Sequence, residues 1–120
     1  MEYLSEKLKQ RTKELALRII RTLRALPKSD EARVIGRQLL RSATSVAANY
    51  RAVCRSRSRA EFISKIGTVV EETDETVFWL EMLLDTEQLR TDEVQSLLVE
   101  ANELLAIFAA SLRTAKANKK

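Results

Sequence analysis

Four stretches of this chain repeat apolar residues at spacings of three, four or seven, and only short breaks separate them. An α-helix turns about 100° per residue, so this spacing gathers the apolar side chains on one face of a helix. In the first stretch these residues are Leu4, Leu8, Leu15, Ile19, Leu23 and Leu26. The whole sequence contains 2 glycines and 1 proline, so little interrupts the helices. The pattern predicts an all-α chain.

The breaks between the stretches carry helix-end signals. Pro27 ends the first helix, because the residue before proline is pushed out of the α region. Ser58 and Glu61 fit a capping box at the start of the third helix, and Thr91 fits the N-cap of the fourth. Short links force consecutive helices to run antiparallel, which predicts an up-down-up-down four-helix bundle. We expect one domain over residues 1–120, with helices over about 5–26, 30–56, 58–87 and 91–116.

Arginines dominate the second stretch, and no Asp, Glu or Lys lies between Glu31 and Glu61. If one helix carries them, six share a sector roughly 80° wide, on the side opposite the apolar residues. These six are Arg33, Arg37, Arg41, Arg51, Arg55 and Arg59. Only Arg57 points elsewhere. The sequence thus predicts a cationic ridge on helix 2.

The ridge has three interpretations. It binds the phosphates of RNA or DNA, it pairs with acids of a neighbouring helix or subunit, or it is only a solvated face. The narrow sector and the absence of acids and of lysine favour nucleic acid, because guanidinium binds phosphate bidentately and releases counterions. No aromatic platform for stacking bases accompanies the arginines, so contacts to the backbone fit best.

The third stretch has the opposite charge. Seven acids and no base lie between Glu71 and Glu87, although the whole chain has a net charge of +4. Carboxylates in a four-helix bundle raise the possibility of a di-iron site, which also needs histidine. The chain contains no histidine and no glycine-rich phosphate loop. We therefore expect no metal, no cofactor, no small-molecule substrate and no enzymatic activity.

Large apolar side chains lie outside the core stripe of the third helix. Phe78 and Met82 fall near ~160° and ~200° from Phe62, and Trp79 borders the stripe near ~260°. They belong either to a wide buried face or to a second contact surface, and aromatic and methionine side chains favour an interface. We expect self-association through Phe78, Met82 and Trp79. Head-to-tail contacts between this acidic helix and a basic surface of a neighbouring subunit would close a ring.

Cys54 is the only cysteine, and the helical wheel puts it on the apolar side of helix 2. We expect a buried, inert thiol. No apolar run approaches the ~20 residues of a membrane span, and the charged N-terminus does not resemble a signal peptide. These features predict a cytoplasmic protein of bacterial type without membrane contact.

The segment from Gln38 to Gly67, QLLRSATSVAANYRAVCRSRSRAEFISKIG, resembles a known family. It is similar to the small bacterial four-helix bundle proteins named after the intervening sequences of 23S ribosomal RNA genes. The similarity extends from the first helix to the last and covers nearly the whole chain. The resemblance implies a homopentameric ring. It also implies kinship with accessory proteins of diversity-generating retroelements, which work with a reverse transcriptase and bind nucleic acid through a basic surface.

From the residues and the resemblance together we predict a non-enzymatic, oligomeric protein that binds RNA or DNA through the arginine-rich face of helix 2. The alternative is a structural adaptor, a ring that docks an acidic protein partner such as a component of a reverse-transcriptase complex.

Overall fold

The computed structural model describes residues 2–89 and 91–118, and in that part of the chain it is all-α. Its helices are α1 (Glu2–Leu23), α2 (Asp30–Val53), α3 (Arg59–Asp85) and α4 (Asp92–Ala117). Each helix packs against the next and α1 also packs against α4, whereas the diagonal pairs α1–α3 and α2–α4 do not approach each other. The predicted four-helix bundle is confirmed. Of the single predicted domain, Met1, Arg90, Lys119 and Lys120 lie outside the described residues.

Three side chains cap helices at the positions that the sequence indicates. Ser29, Ser58 and Thr91 have extended backbones and accept hydrogen bonds from the third backbone N–H that follows each of them. Each cap satisfies one of the N–H groups that a helix start leaves without a partner. The carboxylate of Glu61 also accepts from a backbone N–H, but from Arg57 at 2.7 Å rather than from Ser58.

Three helices end earlier than the sequence predicts, α3 by two residues at Asp85 and the first two by three residues each. α1 ends at Leu23, and the N–H groups of Arg24, Ala25 and Leu26 bond to carbonyls three residues back, in a tighter turn ahead of Pro27. α2 ends at Val53, three residues before the predicted end, and a turn carries the chain to the Ser58 cap. Arg55 therefore follows α2, and Arg59 is the first residue of α3.

The core lies along the bundle axis, and all four helices contribute to it. Its largest fully buried side chains are Phe108, Leu15, Ile19, Leu39, Ile66, Leu80, Leu83, Leu97, Leu104, Val46, Val69 and Val94. Tyr50 packs on Phe108 with ring centroids 5.2 Å apart. One buried polar contact joins α2 to α3, since the Thr76 hydroxyl donates to the Ser42 hydroxyl oxygen at 3.1 Å. Each hydroxyl also has a carbonyl oxygen of its own helix within hydrogen-bond distance, Leu39 at 3.2 Å from Ser42 and Glu72 at 2.9 Å from Thr76.

The expectation that no segment is apolar enough to span a membrane is wrong for α4. By length and composition alone, this helix could cross a membrane. A core helix of a bundle passes the same test, and the stripe from Val94 to Phe108 is buried against the other helices. Part of the apolar surface of α4 is therefore explained by packing within the chain.

The two glycines lie inside helices but in different surroundings. A Cβ atom on Gly36 would lie 2.8 Å from Cδ1 of Leu26 in the α1–α2 link, whereas one on Gly67 would meet nothing within 4 Å. Gly36 thus allows the link to pack closely on α2. Gly67 weakens α3 without any such gain.

We predict that Gly67→Ala raises the free energy of unfolding by about 1 kcal/mol, the usual difference between glycine and alanine inside a helix. Gly36→Ala should gain less or destabilise, because the Leu26 side chain must move away from the new methyl group. Urea unfolding followed by circular dichroism measures both. Equal gains for the two variants would contradict the close packing at Gly36.

Candidate nucleic-acid interface

Exposed arginines of α2 lie along a groove between α1 and α2. Arg33 and Arg37 line one end of this groove, and Arg51 lines the other, followed by Arg55 in the turn after α2. All four side chains are exposed. Residues of α1 and of the α1–α2 link form the opposite side. We call this surface the α1–α2 face.

One end of the α1–α2 face lies beside the link between the two helices. Its basic side chains, which we call the loop-end cluster, are Arg24, Lys28, Arg33 and Arg37. Leu26, Pro27 and Leu40 line the same depression. Arg33 pairs with Asp30 one turn earlier, and the other three cations form no ion pair with any described residue. This end therefore keeps charge available for an external anion.

The other end lies where the start of α1 meets the end of α2. Its basic side chains, the open-end cluster, are Lys9, Lys13, Arg51 and Arg55. Lys9 pairs with Glu6 on α1 at 2.9 Å, an exposed pair of low energy. The three remaining cations have no ion pair within residues 2–89 and 91–118. The two ends of the face are thus alike in charge.

The middle of the α1–α2 face is uncharged on the α2 side, and Lys13 of α1 lies opposite it. Leu40, Thr44, Ala47 and Ala48 form it on the α2 side, and Leu40 is 40% exposed. These side chains are small or apolar and none is aromatic. The basic side chains of the open end therefore extend along α1 past these residues.

Three of the six predicted arginines have partners inside the chain, and two of these, Arg41 and Arg59, bind other helices. Arg41 points towards α3, where its guanidinium pairs with Glu72 at 3.2 Å and with Glu75. Arg59 donates two hydrogen bonds to the carbonyl oxygen of Ala115 near the end of α4, at 3.0 and 3.3 Å. The prediction of one continuous ridge on helix 2 is therefore wrong in geometry. The ridge is interrupted because α2 ends early and because α3 and α4 bind two of its arginines.

The α1 side of the face was missing from the sequence prediction. Lys9, Lys13 and Arg24 come from the first helix and the turn after it, and a wheel drawn for α2 alone contains none of them. The available signal was the basic, non-apolar side of the first helix. In an antiparallel bundle, that side flanks the neighbouring helix.

Cys54 is exposed rather than buried. It is the C-cap of α2, with helical backbone angles, and it lies beside Arg51 and Arg55 at the open end. Its neighbour Tyr50 is a poor acid or base near neutral pH, because burial raises the pKa of this phenol to about 12.

Two arginines of α1 join it to α4 and so position the α1 lysines. Arg11 donates to both carboxylate oxygens of Glu100, at 2.8 and 2.9 Å, and also pairs with Glu103. Arg18 donates to Glu93 at 3.0 and 3.3 Å and to the Ser96 hydroxyl at 2.9 Å. Bidentate pairs fix orientation as well as distance. The hydrogen bonds from Arg18 lower the pKa of Glu93 below its usual range.

The outward side of α3 has a different character. Phe78 is 48% exposed among Glu71, Asp74, Glu81 and Asp85, all of them exposed. Its ring contacts Trp79 edge-on, with centroids 4.8 Å apart. Trp79 and Met82 are half-buried and line a shallow apolar depression with Val34 of α2. We call these apolar side chains, Val34, Phe78, Trp79 and Met82, the α3 patch.

The described residues offer no catalytic constellation. Among them, no group of three or more Cys, Asp or Glu side chains is arranged to hold a metal ion. The one exposed thiol has no imidazole beside it, since the sequence lacks histidine. The arrangement can attract, orient and hold anions.

Comparison with known proteins gives one family match and one similar crystal structure that agree with each other. The family model described as 23S rRNA-intervening sequence protein matches residues 6–110. A crystal structure of a protein with unknown function from the S23 ribosomal protein family of Bacteroides thetaiotaomicron has 32% sequence identity and a TM-score of 0.78. The match covers 87% of this chain and 96% of that one. No protein with curated annotation matches this chain.

The Arg18–Glu93 pair predicts a specific acid sensitivity. A carboxylate with a lowered pKa adds stability above its unfolded pKa of about 4.3, and that stability is lost as the pH falls through the folded value. Between pH 5 and 3, the stability of the unchanged protein should therefore decrease more steeply than that of Arg18→Gln. Urea unfolding at several pH values measures the slopes, with Arg113→Gln as an exposed control. Parallel slopes would contradict the pairing.

Proposed function

The chain belongs to the 23S rRNA-intervening sequence protein family, and from this premise we propose that it is a non-enzymatic, self-associating protein that binds the phosphate backbone of RNA or DNA. The α1–α2 face is the proposed binding surface. Arg33, Arg37, Arg51 and Arg55 contribute from the predicted set, and α1 and the link supply the other cations. Arg41 and Arg59 then have structural roles.

One observation carries this proposal. Six cations of the two clusters have no ion pair with described residues, and they share one face of a bundle 51 Å long. They are Arg24, Lys28, Arg37, Lys13, Arg51 and Arg55. Unpaired cations concentrated on one face attract a polyanion over distance and bind it with release of counterions. An ordinary solvated surface alternates both signs of charge, as α1 and α4 do at their seam.

A salt titration tests the binding. The logarithm of the association constant should fall linearly with the logarithm of the salt concentration, with a slope near −5 if about six phosphates are neutralised. The double variant Arg37→Gln/Arg51→Gln should lose about two units of that slope. Arg113→Gln, which removes an exposed arginine of α4, should leave both affinity and slope unchanged. A flat salt dependence in the unchanged protein would reject phosphate binding.

The alternative is an adaptor whose cationic face docks an acidic protein, for example a component of a reverse-transcriptase complex. This adaptor would use the same basic side chains, but in cells it would bind a protein instead of a nucleic acid. Affinity capture of one acidic protein that persists after nuclease treatment, together with no detectable affinity for nucleic acid in the titration, would select the adaptor.

Self-association is the second part of the proposal, and the α3 patch supports it. Val34 is 53% exposed and Phe78 is 48% exposed, so the patch presents adjoining apolar groups to solvent, inside a rim of acids. Apolar centres with polar rims are typical of protein interfaces. The family resemblance further favours a pentamer.

We expect Phe78→Glu/Met82→Glu to produce helical, soluble monomers, because it places charges in the centre of the proposed interface. Sedimentation velocity and circular dichroism measure mass and helix content. Val99→Glu is the matched control. Val99 is an apolar residue that is 68% exposed, and it lies on α4, outside the α3 patch. If the double variant assembles like the control, the interface lies elsewhere.

A further inference from the structure

We propose that a single strand of RNA or DNA bends over the end of α2, from the α1–α2 face to the start of α3. This inference rests on the proposed function, and it specifies the ligand and two further binding residues, Arg57 and Lys65. It derives from basic side chains that continue past the open-end cluster. We call the whole series the basic path, and its members are Lys13, Lys9, Arg51, Arg55, Arg57 and Lys65.

Three adjoining depressions form the basic path, and each shares basic side chains with the next. The first lies between α1 and α2, and it shares Lys9 and Arg51 with the second. The second lies at the open end and shares Arg55 with the third. The third lies between the end of α2 and the start of α3, where Arg57 and Lys65 line it. A chain of phosphates can therefore pass from one depression to the next and meet basic side chains in each.

The basic path has few acids. The acidic side chains that line its three depressions are Glu6 and Glu61. Each of them pairs with a lysine of the path, Glu6 with Lys9 at 2.9 Å and Glu61 with Lys65 at 3.9 Å. The other four cations of the path form no ion pair with any residue in 2–89 and 91–118. Each of these four is therefore available to neutralise a phosphate.

The basic path is bent around the end of α2. Arg51 and Ala52 are consecutive, so their side chains point about 100° apart around the helix. Arg51 lines the depressions on the α1 side, whereas Ala52 lines the depression on the α3 side. A ligand that occupies both sides must therefore turn around the last residues of α2.

A duplex is too stiff to make this turn. The persistence length of DNA is roughly 500 Å, whereas the bundle is 51 Å long and 21 by 19 Å across. A straight duplex on the α1–α2 face would leave the depression beside α3 uncovered. α2 cannot enter a major groove of about 12 Å either, because α1 and α3 pack on both of its sides. A single strand has no paired partner to stiffen it, so it can follow the path.

The lining of the basic path favours contacts to phosphates over contacts to bases. Proteins that stack the bases of a single strand use aromatic side chains. None of the residues that line the three depressions is aromatic. We therefore expect the strand to be held by its backbone, with little dependence on its base sequence.

The turn that carries Arg55 and Arg57 is held in place by its own hydrogen bonds. The N–H of Arg55 donates to the carbonyl oxygen of Ala52 at 3.0 Å. The N–H of Arg57 donates to the carboxylate of Glu61 at 2.7 Å. The main chain at the bend is thus ordered before a strand arrives, which lowers the entropy cost of binding.

Fluorescence anisotropy tests the inference with an unstructured strand of about 20 nucleotides, longer than most single-strand sites. Oligo(dT) and oligo(rU) serve as the strands, and DNA and RNA duplexes of the same length serve for comparison. Arg57→Gln/Lys65→Gln removes the part of the path beside α3. At about 0.1 M salt, it should weaken binding of at least one of the strands about tenfold and lower the salt slope by about 1.4 units. Duplex affinity should change by no more than about twofold, because a straight duplex does not reach these residues.

Arg113→Gln/Lys116→Gln is the matched control. It removes the same charge from exposed residues near the end of α4. That end lies beside the start of α3, since Arg59 binds the carbonyl oxygen of Ala115, but neither residue lines the basic path. The control should bind strands and duplexes like the unchanged protein. Circular dichroism verifies that every variant folds.

Cys54 provides a second readout that does not depend on affinity. It is the only cysteine of the sequence, it is exposed, and it lines the path beside Arg51 and Arg55. A saturating strand should slow alkylation of this thiol by iodoacetamide several-fold, because the strand limits access to it. In Cys54→Ser/Val99→Cys the thiol lies on the exposed surface of α4, and the strand should leave its alkylation rate unchanged.

The outcomes separate this inference from the proposed function. If a strand binds but Arg57→Gln/Lys65→Gln behaves like the control, the strand does not pass over the end of α2, and phosphate binding on the α1–α2 face stands. A Cys54 thiol that stays reactive under a saturating strand overturns the inference in the same way. So does binding of duplexes alone, or equal weakening of strand and duplex by the variant. If neither strands nor duplexes bind, both the inference and the proposed function fail.

Discussion

The position of α1 determines the cationic surface of this protein. Half of the basic side chains on the α1–α2 face belong to α1 or to the link that follows it. Apolar burial of Leu15 and Ile19 attaches α1 to the core, and this attraction has no direction. Bidentate pairs from Arg11 to Glu100 and from Arg18 to Glu93 add orientation, because planar groups must align to form them. Without the seam to α4, the groove beside α2 would lose one of its walls.

The arginine guanidinium group therefore has two roles in this chain, and the residues beside each arginine determine which role it has. Arginines that face a carboxylate on an adjoining helix, such as Arg11 and Arg41, join elements of the bundle. Arginines that face solvent, such as Arg37 and Arg51, remain available for an outside anion. Counting arginines in the sequence does not separate these groups. The separation depends on which helix lies beside each side chain.

The sequence was sufficient for the fold because the apolar spacing, the breaks and the caps all indicate the same four helices. The surface was harder to predict. A wheel drawn for one helix assumes that the helix continues, and the end of α2 at Val53 removes Arg55 and Arg59 from it. A helical wheel also leaves out the neighbouring helices. It therefore shows neither the Ala115 carbonyl that binds Arg59 nor the lysines of α1. Pairing with acids of a neighbouring helix is one of the three interpretations of the ridge, and Arg41 forms such pairs with Glu72 and Glu75 of α3.

Arg41 also separates the two charged surfaces of the molecule. It lies on the α3 side of α2, between the basic α1–α2 face and the exposed acids of α3, and Glu72 and Glu75 neutralise it there. An unpaired arginine at this place would extend the basic surface to the α3 patch and blur the boundary. With the pair formed, the free cations of α2 lean towards α1 and the free acids of α3 point away from them. A bundle only 21 by 19 Å across can thus present opposite charges on separate sides, one suited to a polyanion and one suited to another subunit.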